Sequence, residues 1–141
     1  MNCSVIVPVY RGEETLVPLV ERLAQVLPRL AEEYEVILVN DDSPDNSWAV
    51  ITDLARRYAW VRGVRLMRNY GQHNATLCGV RAARYEVCVT LDDDLQHPPE
   101  EIPVLLSKLE EGYDVVYGAP KKLPQAWWRN WMTRAIKIIL A

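Results

Sequence analysis

Three consecutive carboxylates, Asp92, Asp93 and Asp94, directly follow the apolar run VCVTL, so like charges crowd together where a buried strand should emerge. Such crowding is unfavourable unless a cation neutralises the group or water surrounds it. If the backbone stays extended, the period of two sends Asp92 and Asp94 to one side and Asp93 to the other. Hard oxygen donors at that spacing suit Mg²⁺ or Mn²⁺, which keeps several waters and takes further ligands from substrate phosphates. This is the shape of a DXD diphosphate clamp. The competing reading of the three aspartates alone is a solvated turn that caps the next helix.

Three other polar segments also follow short apolar runs: PVYRGEE from Pro8, NDDSPDNS from Asn40 and RNYGQHN from Arg68. In open parallel sheets, ligands collect outside the carboxyl ends of the strands, where loops present polar groups. Asp41 and Asp42 are placed to accept hydrogen bonds from an imide N–H or from sugar hydroxyls. Ser43 and Asp45 suit a turn and a helix cap, with capping the expected role of Asp45. Arg68, Asn69 and Gly71 precede a helix start, where N–H groups and a guanidinium suit an anion; Gly71 also suits a turn for its own sake. His73 and His97 read as loop residues rather than metal ligands.

The elements that must hold these loops alternate in type. β-Branched runs predict strands over 3–9, 35–40, 62–67, 87–91 and 114–117. Between the first two, Leu16, Leu19, Val20, Leu23 and Leu27 form one helical stripe, with Thr15 as a cap and Pro18 in the first turn. Val50, Ile51, Leu54 and Tyr58 mark a second helix, and further helices are expected over 72–84 and 99–111, the last ended by Gly112. Strands alternating with amphipathic helices imply an α/β fold, a mostly parallel sheet flanked by helices. Linkers are short, and neither an internal repeat nor a low-complexity segment is present.

The chain has 141 residues, half of them hydrophobic, and a net charge of −3. Length and balance fit one globular core and exclude disordered and fibrous classes. Residues 121–141 carry five basic and no acidic side chains, so residues 1–120 hold a charge of −8. An acidic body argues against general nucleic-acid binding. Cys3, Cys78 and Cys88 are odd in number and widely spaced, as reduced residues of a cytosolic protein would be. The amino-terminal apolar run is too short for a signal peptide or a membrane span.

Four ordered segments carry a family resemblance. LDDDLQHPPEEIPVLL closely resembles the metal-binding segment of the family 2 glycosyltransferases that act on polyprenyl phosphates, the dolichol-phosphate mannosyltransferases and undecaprenyl-phosphate sugar transferases. PVYRGEE, VNDDSPDNS and RNYGQHNA resemble the family's PVYNE, VDDGSxD and RNFGQ segments in the same order. The resemblance spans essentially the whole chain. It implies a GT-A (Rossmann-like) fold and a nucleoside-diphosphate-sugar donor. It further implies that Pro8, Tyr10 and Glu13 line the nucleobase pocket and that Asp41 and Asp42 meet base and ribose. Within the acidic cluster it assigns Asp94 to direct metal contact, Asp92 to ribose or water-mediated metal contact, and Gln96 to metal or phosphate support, making these three the catalytic set. Asp93 is the family's variable middle position.

From Pro124, PQAWWRNWMTRAIKIILA places Trp128, Trp131 or Met132, Ala135 and Ile138 or Ile139 on one face of a helix and Arg129, Thr133 and Lys137 on another. Residues 1–120 are thus expected to form the nucleotide-sugar-binding core, and 121–141 a basic, Trp-rich amphipathic helix that opens the acceptor side. The resemblance assigns Arg129 and Thr133 to the acceptor phosphate; the residues alone also fit an ordinary amphipathic helix with its basic side in water. Where relatives carry a GxR tripeptide this chain has Pro120, and a lysine does not reproduce a bidentate guanidinium. Relatives continue further, so the carboxyl-terminal acceptor part is expected to be missing, with a second copy or partner covering the apolar end.

The expected activity is metal-dependent, inverting transfer of a sugar from UDP or GDP to a polyprenyl phosphate, in the cytoplasm or peripherally at the inner face of the membrane through the carboxyl-terminal helix. A phosphate acceptor is already anionic and needs no strong base. The alternative is a non-catalytic or truncated nucleotide-sugar-binding module. PVYRGEE lacks the GxGxxG of a Rossmann oxidoreductase, and a receiver domain would not explain LQHPPEE.

Overall fold

The computed structural model describes residues 1–96, 98–118 and 137–140, the last four by their backbone alone. The elements run β1 (Cys3–Val9), α1 (Leu16–Leu30), β2 (Tyr34–Asn40), α2 (Ser47–Arg57), β3 (Val61–Arg65), α3 (Gln72–Ala82) and β4 (Val87–Thr90). A 3-10 turn (Pro99–Glu101) then leads into α4 (Ile102–Glu110), followed by β5 (Val115–Tyr117) and β6 (Lys137–Leu140). One sheet in the order β3-β2-β1-β4-β6-β5 holds all six strands. The pairs β1–β2, β1–β4 and β2–β3 are parallel, as expected, and β6 is antiparallel to both neighbours.

β1 is buried along its full length because it is sandwiched twice. Within the sheet it lies between β2 and β4; across the sheet, α3 packs on it. The stripe Leu16, Leu19, Val20, Leu23 and Leu27 on α1 is buried as its spacing predicts, and Val26 joins it. Together with Val5, Val7, Leu38, Ile51 and Leu54 it forms the main core. Gly79 lets α3 approach: a Cβ there would stand 2.4 Å from Ile6 Cγ2. Gly112, at φ 110°, ends the fourth helical segment as expected.

At the amino ends of the strands, the charged side chain of Glu35 is almost fully buried, 3 % exposed. It accepts hydrogen bonds from Ser4 Oγ at 2.8 Å, the Arg84 N–H at 2.7 Å and Arg62 Nε at 3.0 Å. Arg62 also donates to the Ala82 carbonyl at 2.7 Å, so this one carboxylate joins β1, β2, β3 and the end of α3.

Residues 137–140 differ from expectation. Their sequence predicts the end of an amphipathic helix, yet they form a strand in register with β4 (Cys88 opposite Ile139) and β5 (Val116 opposite Ile138). β-Branched KIIL suits a gap in a sheet better than a helix end, and sheet pairing overrides a weak helical period. The core sheet therefore includes residues beyond the expected boundary at 120. Arg129 and Thr133 lie outside the described residues, as does His97. Among the described residues, no helix is long and apolar enough to cross a membrane. All three cysteines are free, with Cys3 and Cys88 buried; burial pushes the Cys3 thiol up to about 11.

Candidate functional site

The loops after β1, β2, β3 and β4 meet at one end of the sheet, and each contains a residue with positive φ: Arg11 (56°), Asp42 (51°), Gly71 (92°) and Leu95 (62°). Three of the four are not glycine, so the turns hold backbone conformations that L side chains rarely adopt. Such strain persists only where surrounding contacts enforce it, and it concentrates at functional sites.

Those contacts are visible. Asp45 Oδ1 accepts from Ser43 Oγ at 2.5 Å, Ser47 Oγ at 2.6 Å and the Ser47 N–H at 3.1 Å, so it binds the first residue of α2 from one position ahead of the N-cap, Asn46, rather than capping the helix itself. Ser43 and Ser47 in turn accept the N–H groups of Arg11 (2.7 Å) and Gly12 (3.0 Å), latching the first loop onto the second. Burial raises the Asp45 carboxyl, but the bonds from Ser43 and Ser47 outweigh it and hold the group below the usual range.

Asp41, only 3 % exposed, accepts the N–H groups of Tyr70 at 2.8 Å and Gly71 at 3.1 Å, drawing the third loop inward. Asn69 Oδ1 also accepts from the Gly71 N–H, at 3.1 Å. Gln72, the first residue of α3, donates its side-chain amide to Asp92 Oδ1 at 2.5 Å. Asp94 Oδ1 accepts the Gln96 N–H at 3.1 Å, closing a turn two residues on.

Between these loops lies a cleft of about 300 Å³. Pro8, Tyr10, Asp41, Asp92 and Asp94, all expected at a site, line it together, and so do Asn69, Gly71, Gln72 and Asp93. Glu13, Asp42 and Gln96 are not in its lining. Glu13 instead accepts the Asn46 N–H at 3.2 Å and borders a separate open depression with Arg11 and Asp45. Tyr10 remains 45 % exposed, with the Arg11 guanidinium 5.6 Å from its ring centroid. Arg68 stacks in the same way over Tyr70, and His73 is exposed on α3.

The acidic cluster departs from strand alternation. β4 ends at Thr90 and residues 93–94 form a turn, so Asp92, Asp93 and Asp94 all face one cleft rather than alternating sides. Asp93 Oδ2 accepts the Tyr10 N–H at 3.1 Å, tying the fourth loop to the first. Burial pushes its carboxyl up to about 6; the Tyr10 bond opposes the rise and the neighbouring Asp94 charge adds to it. Sequence reasoning passed over Asp93 and Gln72. The signal for Asp93 was Gly12, whose missing side chain makes room for the carboxylate, but nothing local links two residues so far apart in the chain.

Among the described residues, the lining therefore holds four carboxylates and no Lys, Arg or His. No three His, Cys, Asp or Glu side chains converge as a ready-made metal cage among the described residues. The donor set nonetheless fits Mg²⁺ or Mn²⁺, which binds through one or two carboxylates and completes its shell from water and substrate phosphate. It does not fit a soft-ligand metal, for which Cys or His would be needed.

A model of glycosyl transferase family 2 matches residues 4–140. The undecaprenyl-phosphate 4-deoxy-4-formamido-L-arabinose transferases of Proteus mirabilis and Serratia proteamaculans are each 42 % identical over 138 residues, 97 % of this chain. The chain spans 42 % of the length of those relatives. Among solved structures, Staphylococcus aureus TarS 1-349 in complex with UDP-GlcNAc superposes with a TM-score of 0.68 at 22 % identity, covering 92 % of this chain and 38 % of that one. The mannosyltransferase PcManGT from Pyrobaculum calidifontis, in complex with GDP-Man and Mn²⁺, gives 0.63 at 22 % identity over 90 % of this chain and 37 % of that one. These likenesses support the GT-A architecture, a mostly parallel sheet flanked by helices. With the family model matching almost from end to end and relatives above 40 % identity, the chain belongs to glycosyl transferase family 2.

Proposed function

We propose that the cleft binds the diphosphate of a nucleoside-diphosphate sugar together with a divalent cation, and that the sugar passes with inversion to a polyprenyl phosphate. The observation that carries this reading is the convergence of four carboxylates on one cleft, a lining that a diphosphate approaches more favourably when a cation accompanies it. The relatives named as undecaprenyl-phosphate transferases supply the acceptor class, and the neighbours solved with UDP-GlcNAc and with GDP-Man and Mn²⁺ support a donor of this chemistry.

In this reading Asp92 and Asp94 hold the cation, Gln96 supports it or the phosphate, and Pro8 and Tyr10 form a flat wall for the base. Asp41 and Asp42 accept hydrogen bonds from base and ribose, while Glu13 braces the loop that carries Tyr10. The bound cation would stabilise the negative charge that develops on the departing diphosphate. Arg129 and Thr133 are proposed to receive the acceptor phosphate. The acceptor needs no strong base, and its polyprenyl chain would bring the protein to a membrane surface, taken here as the inner face.

Thermal shift and calorimetry with UDP-, GDP- and dTDP-sugars, with and without Mn²⁺, test the donor site. We expect a Mn²⁺-dependent rise in melting temperature with at least one donor, and loss of that metal-dependent part in Asp94→Ala. An unchanged response in Asp94→Ala would overturn the metal assignment. Transfer to a polyprenyl phosphate separates an enzyme from a binding module: donor binding without turnover by the full natural chain would sink the transfer reaction.

A further inference from the structure

The bond from Gln72 to Asp92 crosses between two loops far apart in sequence, and the position of its donor is set from below. Asp41, buried at the end of β2, holds the N–H groups of Tyr70 and Gly71. Gly71 then adopts φ 92°, ψ 156°, a conformation essentially reserved for glycine, and its carbonyl accepts the first helical bond from Ala75 at 3.0 Å. The start of α3 is thereby fixed, and Gln72 reaches Asp92 Oδ1 from it. The chemistry of the donor matters. A neutral amide orients a carboxylate without cancelling its charge, whereas a Lys or Arg in that place would compete with an incoming cation. Gln72 is also exposed, so core packing does not explain its side-chain type.

We propose that Gln72 is a positioning residue for the donor site, holding the Asp92 carboxylate in the orientation that receives the divalent cation of a nucleoside diphosphate. The β3–α3 loop is thereby coupled to cation binding through Asp41, Gly71 and Gln72 in turn. The inference rests on the donor-site reading above.

The test uses the full chain with Mn²⁺ and UDP, or GDP if UDP gives no heat. Bound Mn²⁺ is followed by water proton relaxation and nucleotide by calorimetry. Gln72→Met keeps the length and helix preference of the side chain and removes the donor. The ligand-free melting temperature should not change, while Mn²⁺ affinity in the presence of nucleotide should fall by about three- to tenfold. In an Asp92→Asn background the same substitution should cause no further loss, because Gln72 acts through Asp92. No loss in the wild-type background, or an equal loss in both, overturns the proposal; the second outcome would mean that Gln72 meets the ligand itself. Should Gln72→Met lower the melting temperature, Gln72→Asn, which leaves the amide one methylene short, is read through the same cycle. Absence of any Mn²⁺-dependent nucleotide binding by the unmodified chain overturns the donor-site reading itself, and is seen before a variant is made.

Discussion

A Cβ atom on Gly12 would stand 2.7 Å from Oδ2 of Asp93, closer than real side chains approach. The same oxygen accepts the Tyr10 N–H, so the first and fourth loops are joined through a space that only glycine leaves open. Gly12→Ala should therefore push the Asp93 carboxylate aside, break the bond to Tyr10 and destabilise the chain by about 1–3 kcal/mol. Urea unfolding measures the loss. With Asp93→Ala already in place the obstructing carboxylate is gone, and the cost of adding Gly12→Ala should shrink; equal costs in both backgrounds would show that this contact is not what requires glycine.

Glu35 predicts the opposite separation of stability from site. It lies at the amino ends of the strands, whereas the cleft lies at their carboxyl ends, and its bonds hold Ser4, Arg62 and Arg84. Removing the carboxylate leaves the Ser4 hydroxyl and the Arg84 N–H without their acceptor, while the guanidinium groups of Arg62 and Arg84 keep access to water. Glu35→Ala should cost about 1–3 kcal/mol of stability. Where the variant remains folded, its nucleotide affinity should match the wild type. A variant of normal stability would show that the network contributes little.

Asp45 gives a pH dependence with a defined sign. Its folded carboxyl sits below the ordinary value of 3.8, so the unfolded chain takes up the proton first as pH falls. The stabilisation it gives is full above that value and is lost as pH drops through the lower, folded one. The stability gap between wild type and Asp45→Ala should be constant from pH 5 to 7 and should narrow below about pH 4. Urea midpoints across that range measure it, and a gap that widens in acid would contradict the assignment.

The relation between sequence and structure differs from element to element. The stripe on α1 and the apolar runs of β1, β2 and β4 were legible because burial imposes a local period, and each element reports its own. The polar strand ends were legible for a related reason, since loops at the carboxyl edge are where a parallel sheet can present such groups. Asp41, Asp92 and Asp94 could thus be picked out as neighbours from the residues themselves, and Pro8 and Tyr10 from the family resemblance. The turn that Asp45 makes ahead of α2 was equally local.

What the sequence alone determined, then, was the α/β alternation, the parallel core and the loops that carry the carboxylates, all written within windows of a few residues. Only the tertiary structure decided that residues 137–140 form a strand between β4 and β5, that all three aspartates turn into one cleft, and that Glu13 braces a loop instead of lining the site. It alone brought Gln72 to Asp92, Gly12 to Asp93 and Glu35 to two arginines. The physical reason is the same in each case. Strand pairing, burial of a charge and hydrogen bonds between loops depend on residues distant in the chain, and no local period records which of them will meet.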